Sequence, residues 1–263
     1  MVNRTITFNN AAILIEGVNP GIRFPLQNTT GITYNGPNGT VDTPIYILDS
    51  YIFDEFSNPP PGRVGSSAYS GGNKTVIRNL EFYGKDGSMT GVVGDESGYI
   101  SGIRIRKGFQ VEIRDCAFGG TLWDGIKFTD AQLFPFVTRC YFYGVHRDAI
   151  AFDVASTFTT TSKIIDNEFG YVGRYAILLD VSGSVDSGCS IEDNSFEHTY
   201  NSFFVQNPDW FVHGLVSGIC CINAGSFTFT KNRFESATDT TAGYWADLHL
   251  TGSTYRAIVN NNT

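Results

Sequence analysis

Apolar and polar residues alternate in short runs along this chain, and one longer pattern recurs. An apolar residue, a short polar turn and a phenylalanine follow one another in VEIRDCAFGG, VTRCYFYG, IIDNEFGYV, IEDNSFEHT and FTFTKNRFES. The phenylalanines of the pattern stand 24 to 38 residues apart, at Phe82, Phe118, Phe142, Phe169, Phe196 and Phe234. A recurrence in this range is typical of a solenoid, in which each repeat stacks on the previous one.

The spacing inside the pattern predicts a turn. An apolar residue stands five positions before each phenylalanine, as Ile164 does before Phe169. Side chains of a strand alternate between its two faces, so two inward residues at an odd separation cannot lie on one flat strand. Asn167, Asn194 and Asn232 stand in this turn. Asn tolerates left-handed backbone and bonds to an identical Asn one layer away, so we predict an asparagine ladder.

A further strand follows each phenylalanine after a loop of variable length. Its inward pairs are predicted to be Ile103/Ile105, Ile126/Phe128, Ile150/Phe152, Ile177/Leu179, Phe203/Val205 and Leu248/Leu250. Each coil then holds three short strands. Sustained helical spacing of apolar residues is missing from the sequence, so helix should be minor. Coils of about 24 to 27 residues with three strands indicate a single-stranded parallel β-helix.

These residues resemble the pectate-lyase-like family of right-handed parallel β-helices. The motifs that carry the resemblance are I-x-D-N-E-F at 164–169, I-x-D-N-S-F at 191–196, G-I-x-F at 125–128 and A-I-x-F at 149–152. We therefore predict an all-β fold, a single-stranded right-handed parallel β-helix with three short strands per coil. We predict that residues 76–263 form its coils, cut in mid-coil at the C-terminus, and that residues 1–75 form irregular starting coils and a loop.

Within this class, the chain is most similar to the central domain of a bacteriophage tailspike. The glycine- and aromatic-rich loops, the lack of a signal peptide and the incomplete last coil carry that similarity. The resemblance implies a homotrimer that binds, and often cleaves, a bacterial surface polysaccharide such as capsule or O-antigen. It also implies a location on the virion tail, outside the host cell, after synthesis in the host cytoplasm.

Composition narrows the partners and cofactors. The formal charge of −8 and the pI near 4.9 argue against nucleic acid and against anionic membranes as partners. The five cysteines form no C-x-x-C pair, so we predict buried free thiols rather than a disulfide framework or a zinc site. The four histidines are scattered, and we predict no bound transition metal and no cofactor.

Outward positions of the strand after the loop predict a groove built from three columns. The first column, which we expect to form the groove floor, contains small residues: Gly102, Gly125, Ala149, Ala176, Ser202 and, at its end, Asp247. The second contains Arg104, Lys127, Ala151, Leu178, Phe204 and His249. The third contains Arg106, Thr129, Asp153, Asp180, Gln206 and Thr251.

Stacked carboxylates in this region suggest glycoside hydrolysis. Asp153 and Asp180 form one pair, and Asp124 and Asp148 form another. Adjacent layers lie about 4.8 Å apart, near the ~5 to 5.5 Å between the carboxyl groups of retaining glycosidases, whereas two layers approach the ~6.5 to 9.5 Å of inverting ones. We predict Asp153 and Asp180 as acid and nucleophile or base, with Asp148 tuning them. The structural alternative is that these aspartates only close turns at strand ends.

The side chains around these carboxylates suit a sugar. Sugar rings stack their C–H faces on aromatic rings, and their hydroxyls bond to polar groups. The predicted substrate-binding residues are Arg104, Lys127, Trp123, Arg174, Trp245 and His249. A second carboxylate set, ranked lower, contains Glu168, Glu197 and Glu235 beside Tyr141, Tyr143 and Arg233.

Two alternatives remain open for the same groove. A polysaccharide lyase would bind Ca²⁺ through Asp148, Asp153 and Asp180, with Arg104 or Lys127 near a uronic acid. A non-catalytic spike would grip the glycan without cutting it.

Overall fold

The computed structural model describes residues 6–9, 14–16, 30–34, 45–49, 75–84, 101–105, 108–119, 124–129, 132–145, 147–153, 159–170, 172, 174–180, 188–197, 220–223, 225–235, 248–250 and 256–263. Within these ranges there is no helix, and the chain forms 26 short strands. All of the strand pairs are parallel, and neighbours in a sheet come from successive coils.

Three long sheets form the faces of the solenoid. Sheet 1 contains β1 (Ile6–Asn9), β4 (Ile45–Asp49), β7 (Ile103–Ile105), β11 (Ile126–Thr129), β15 (Asp148–Asp153), β19 (Tyr175–Asp180), β22 (Cys220–Asn223) and β25 (Leu248–Leu250). Sheet 2 contains β2 (Leu14–Glu16), β5 (Thr75–Arg78), β9 (Val111–Arg114), β13 (Phe136–Thr138), β17 (Lys163–Ile165), β20 (Cys189–Glu192), β23 (Ser226–Thr230) and β26 (Arg256–Asn260). Sheet 3 contains β3 (Thr30–Tyr34), β6 (Leu80–Gly84), β10 (Ala117–Gly119), β14 (Tyr141–Tyr143), β18 (Glu168–Gly170), β21 (Ser195–Glu197) and β24 (Arg233–Glu235).

In the described residues the chain runs from sheet 1 to sheet 2 to sheet 3 and then returns to sheet 1 one layer higher, and the last coil contributes β25 and β26 to sheets 1 and 2. The predicted all-β, single-stranded parallel β-helix is therefore confirmed. Three coils carry a fourth short strand between sheets 1 and 2, and these strands form a small sheet: β8 (Gly108–Phe109), β12 (Gln132–Leu133) and β16 (Thr159–Thr160). Strands β1 to β4, from the region predicted as irregular starting coils, join the same three long sheets.

The repeated phenylalanines form one continuous stack inside the solenoid. Successive ring centroids from Phe82 to Phe234 lie 4.8 to 5.0 Å apart, and the rings are almost parallel. These separations match the distance between layers, since each ring belongs to one coil. Isoleucines of sheets 1 and 2 pack against this stack, and Ile77, Ile126 and Ile164 are fully buried.

Left-handed residues make the turn between sheet 2 and sheet 3. They are Asn79, Asp115, Arg139, Asp166, Asp193, Lys231 and Asn261, with φ between 49° and 57°. The predicted turn is confirmed, but its left-handed residue immediately precedes the ladder position instead of occupying it. Asn and Asp tolerate this conformation better than most residues, which explains their frequency here.

The asparagine ladder is confirmed and is longer than predicted. Asn167, Asn194 and Asn232 each donate from Nδ2 to Oδ1 of the next asparagine at 3.0, 3.0 and 3.1 Å, and Asn262 receives the last bond. Each Nδ2 also donates to a carbonyl oxygen of the coil below, at 3.0 to 3.1 Å. Every amide group of the ladder interior is therefore bonded although it is buried.

In the coils below Asn167, the positions equivalent to the ladder asparagines are occupied by Cys116 and Cys140. Their thiols donate to backbone carbonyl oxygens, as the asparagine Nδ2 groups do. The Cys140 thiol donates to the carbonyl oxygens of Ile113 and Thr138 at 3.7 and 3.4 Å. Four of the cysteines, Cys116, Cys140, Cys189 and Cys220, are buried free thiols, as predicted, whereas the side chain of Cys221 lies outside the described residues. Burial raises the pKa of Cys189 to about 12.

One predicted strand of sheet 1 is wrong. The strand that follows Phe196 in this sheet is β22, in which Cys220 and Ile222 are buried and pair with Ile177 and Leu179. The alternation at Phe203 and Val205 had suggested another position, and those residues lie outside the described ranges. The insertion before β22 is long enough to contain two such alternations, and pattern alone cannot choose between them.

Candidate functional site

Strand register aligns the predicted outer columns of sheet 1. The second column runs Arg104, Lys127, Ala151, Leu178, Cys221 and His249. The third runs Thr129, Asp153, Asp180 and Asn223. Cys221 and Asn223 replace the predicted Phe204 and Gln206, because β22 supplies this layer.

Asp153 and Asp180 are register partners at the ends of β15 and β19. Neighbouring parallel strands are about 4.8 Å apart, so the two residues occupy adjacent layers, as the prediction requires. Asp180 is half-buried, whereas the side chain of Asp153 lies outside the described residues. The polar partner in the next layer is Asn223, which extends the column without adding charge.

The predicted groove floor of small residues is wrong. Ala149 and Ala176 are 0% and 1% exposed and belong to the hydrophobic core, and Gly102 and Gly125 are buried too. A Cβ on Gly125 would lie 2.5 Å from the Ala149 carbonyl oxygen and 2.9 Å from the Phe142 ring. These residues are small because they face the phenylalanine stack at a corner of the coil, where strand alternation does not hold.

This close approach predicts that Gly125→Ala lowers the free energy of unfolding by about 1 to 3 kcal/mol, through overpacking against backbone. Gly170→Ala is the matched control, because its nearest neighbour is the exposed Tyr143 ring at 3.1 Å, which can move aside. Denaturant unfolding of both variants measures the difference. Equal stabilities would show that the Gly125 site can relax.

The second predicted carboxylate pair lies in a buried network of ion pairs. Arg147 donates to Asp124 from Nε at 2.8 Å and from a terminal nitrogen at 2.5 Å, and its Nε lies 3.5 Å from Asp148. Arg174, one coil higher, donates to both carboxylate oxygens of Asp148, with the Nε bond at 2.8 Å. The order Asp124, Arg147, Asp148, Arg174 thus alternates in charge along the solenoid axis. We call this set the ion ladder.

Further bonds close the two ends of the ion ladder. Ser101 donates from its hydroxyl to Asp124 at 3.4 Å. The Tyr175 backbone N–H donates to Asp148 at 3.3 Å, and the Arg174 guanidinium lies 5.4 Å from the Tyr175 ring centroid. Asp148 begins β15 and Tyr175 begins β19, so the ladder ties together the two strands that carry Asp153 and Asp180.

Burial and ion pairing act in opposite directions on the pKa values of the ion ladder. Burial raises the pKa of Asp124, to which the neighbouring Asp148 adds a smaller increase, while Arg147 opposes both. The pKa of Arg174 is also raised, because Asp148 outweighs the lowering effect of burial. The like charge of Asp148 thus contributes to the raised pKa of Asp124, but burial is the main cause.

Some of the predicted substrate-binding residues lie within the described ranges, and others do not. Arg174 is held by Asp148, with its side chain 21% exposed. Arg104 and Lys127 are half-buried on the outer face of sheet 1. Trp123 and Trp245 lie outside the described ranges, as does the side chain of His249.

Sequence reasoning missed Arg147. The signal was present, because Arg147 and Arg174 each stand directly before the first residue of a sheet 1 strand, in HRDAI and GRYAI. An arginine in this place reaches back one coil to an aspartate, which is Asp124 just before β11 for Arg147 and Asp148 at the start of β15 for Arg174.

The lower-ranked carboxylate set divides into two columns of sheet 3. Glu168 is in register with Tyr141 and Ser195, whereas Glu197 is in register with Gly170 and Glu235. The three glutamates therefore do not form one stack.

Metal and membrane features were sought only within the described ranges. There, no group of three or more His, Cys, Asp or Glu side chains is arranged to hold a metal ion. The Ca²⁺ site stays a prediction, since it includes Asp153. Of the same residues, none forms a helix with the length and apolar character that membrane crossing requires.

The chain shows no significant match to any protein-family model, curated protein or solved structure. The similarity to tailspikes therefore stays a prediction.

Proposed function

We propose that this chain is a tailspike-like polysaccharide depolymerase, a glycoside hydrolase that binds and cleaves a bacterial capsule or O-antigen along the outer face of sheet 1. The register of Asp153 with Asp180 is the observation that supports this function. The other stacked pair, Asp124 and Asp148, is buried and bound by arginines, so it is unsuited to proton transfer.

A one-layer separation favours the retaining mechanism. Adjacent strands are about 4.8 Å apart, close to the ~5 to 5.5 Å at which one carboxylate attacks the anomeric carbon directly. In this proposal one aspartate forms a covalent glycosyl ester while the other protonates the leaving oxygen. The second aspartate then takes a proton from water, whose oxygen displaces the ester, and the anomeric configuration is retained.

The other predicted residues take supporting roles. Asp148 is a positioning residue, because it binds the first N–H of β19 from the first residue of β15. Arg104 and Lys127 supply positive charge at one end of the face, and Trp123, Trp245 and His249 are proposed sugar contacts. The proposed assembly is a homotrimer on a virion tail.

The test is cleavage of purified capsule or O-antigen, measured as newly formed reducing ends. Asp153→Asn and Asp180→Asn should each lower the rate by about 10² to 10⁴-fold, the usual contribution of an acid–base group. Glu112→Gln and Glu192→Gln are the controls, because these half-buried glutamates lie on sheet 2, away from the strands that carry Asp153 and Asp180. Undiminished cleavage by the Asp153→Asn, Asp180→Asn double variant would contradict the assignment of these two aspartates as the catalytic pair.

Product chemistry separates the alternatives. A lyase product absorbs in the ultraviolet because elimination leaves an unsaturated sugar, and a Ca²⁺-dependent lyase stops when the metal is chelated. A non-catalytic spike would retain the polysaccharide without shortening it. Retention of configuration, read by proton NMR of the first product, is the outcome that a one-layer carboxylate pair requires.

A further inference from the structure

Two tyrosines form an aromatic surface on sheet 3, away from the aspartate column of sheet 1. Tyr141 and Tyr143 point to the same outer face of β14, with ring centroids 5.8 Å apart and planes 21° from parallel. Tyr143 is 46% exposed. Its ring lies over Gly170 of the next layer, where an added Cβ would approach it to 3.1 Å. The glycine lets the ring lie close to the sheet.

A cavity of about 90 Å³ lies beside Tyr141. Tyr141 and the register partners above it, Glu168 and Ser195, line the cavity, together with Asp166 and Asp193 from the turn. A water molecule occupies about 30 Å³ in the liquid, so the space suits the hydroxyl groups along one edge of a sugar rather than a whole ring.

We propose that Tyr141, Tyr143 and this cavity form a second glycan-binding site, specific for an uncharged pyranose unit. The sugar stacks a C–H face on the tyrosine rings and places hydroxyls in the cavity, where carboxylates accept their hydrogen bonds. This site does not depend on cleavage at sheet 1, and it would hold a stretch of polymer on a different face of the solenoid.

Charge determines the class of sugar. Three carboxylates line the cavity, those of Asp166, Glu168 and Asp193, against one lining cation, Arg139, which also bonds to Asp115 at 2.7 and 3.0 Å. Lys231 lies 3.9 Å from Asp193, so negative charge remains in excess at the cavity. An acidic sugar would therefore meet repulsion. A hydroxyl-rich neutral sugar offers donors to the same oxygens.

The surroundings of the rings argue against a protein partner. The centres of protein interfaces are depleted in charged residues. Here Glu168 and Glu197 flank the rings in the next two layers, and Arg233 follows Ser195 in the Tyr141 column. Two rings among charges provide too little apolar area for such a contact, but they suit one or two sugar units.

The experiment measures binding of the Asp153→Asn, Asp180→Asn protein, which should not degrade its ligand, to an array of purified neutral and acidic bacterial polysaccharides. Adding Tyr141→Ala and Tyr143→Ala should weaken binding to neutral polymers about tenfold or more, since the variant loses both aromatic faces on which the sugar stacks. Tyr143→Phe should retain binding. Phe134→Asn is the control for loss of an exposed ring, because Phe134 is 40% exposed at another corner of the coil.

Unchanged binding by the double alanine variant would overturn the proposal, as would failure of the parent protein to bind any polymer on the array. Dissociation of an oligomer on the same substitutions, seen by light scattering, would instead assign the rings to an interface and overturn it too. Cleavage by the tyrosine variant with intact Asp153 and Asp180 separates this site from the proposed catalytic pair.

Discussion

Replacing Arg147 by methionine is expected to lower the free energy of unfolding by about 3 to 5 kcal/mol, because the change leaves buried carboxylates without their partner. Asp124 loses both of its bonds to the guanidinium, and Asp148 loses one neighbouring cation. The Arg147 side chain is 7% exposed and that of Asp124 is 1%, so water cannot replace the lost contacts. Denaturant unfolding followed by circular dichroism measures the change.

Arg139→Met is the matched control. Arg139 also binds an aspartate of the coil below through two nitrogens, but the side chains of Arg139 and Asp115 are 42% and 29% exposed. Exposed pairs contribute about 0 to 1 kcal/mol. Asp124→Asn in the Arg147→Met background should recover part of the loss, because it removes the unpaired charge. Equal effects of Arg147→Met and Arg139→Met would contradict the importance of burial.

The stability difference should also depend on pH. Burial raises the pKa of Asp124 in the folded state, so the folded protein binds this proton more tightly than the unfolded chain does. The cost of the ionised group is absent below the ordinary aspartate pKa of about 3.9 and grows as pH rises through the folded value. Arg147 offsets that cost. The loss caused by Arg147→Met should therefore shrink as pH falls from about 7 to about 4.

Replacing Asn194 by leucine is expected to destabilise the protein by about 3 kcal/mol or more. Its Oδ1 accepts from the backbone N–H and the Nδ2 of Asn167, and its Nδ2 donates to Ile164 and Asn232. Leucine leaves these groups unbonded in a site where Asn167 and Asn232 are 3% and 0% exposed. Each orphaned buried group costs roughly 1 to 3 kcal/mol. Thermal and denaturant unfolding both report the loss.

Two controls use the ladder's own variation. Asn194→Cys should lose less than Asn194→Leu, because a thiol at Cys140 bonds to the same kinds of carbonyl oxygen. Asn262→Leu, at the more exposed end of the ladder, should also lose less. A small effect of Asn194→Leu on the free energy of unfolding would show that the hydrogen bonds of the ladder contribute little to stability.

Much of the fold was predictable because every coil of a stacked solenoid requires similar residue types at equivalent positions. The odd separation of Ile164 and Phe169 required a turn, and the recurring Asn required a ladder, and both are present. The position of β22 was missed, since the length of an insertion carries no information about where regular pairing resumes. For the candidate site, the register of Asp153 with Asp180 followed directly from counting residues between repeats.

Where the repeats are regular, the sequence by itself determined which residues stack in successive layers, because the repeat length sets the register of a parallel solenoid. Only the tertiary structure decided what those residues face. Ala149 and Ala176 alternate with core residues yet lie in the core, because the chain bends at the corner where they stand. The spacing stacked Asp124 on Asp148 as predicted, but Arg147 and Arg174, each from the next coil, bind and bury them. Such contacts depend on side chains reaching between layers, which residue spacing does not encode.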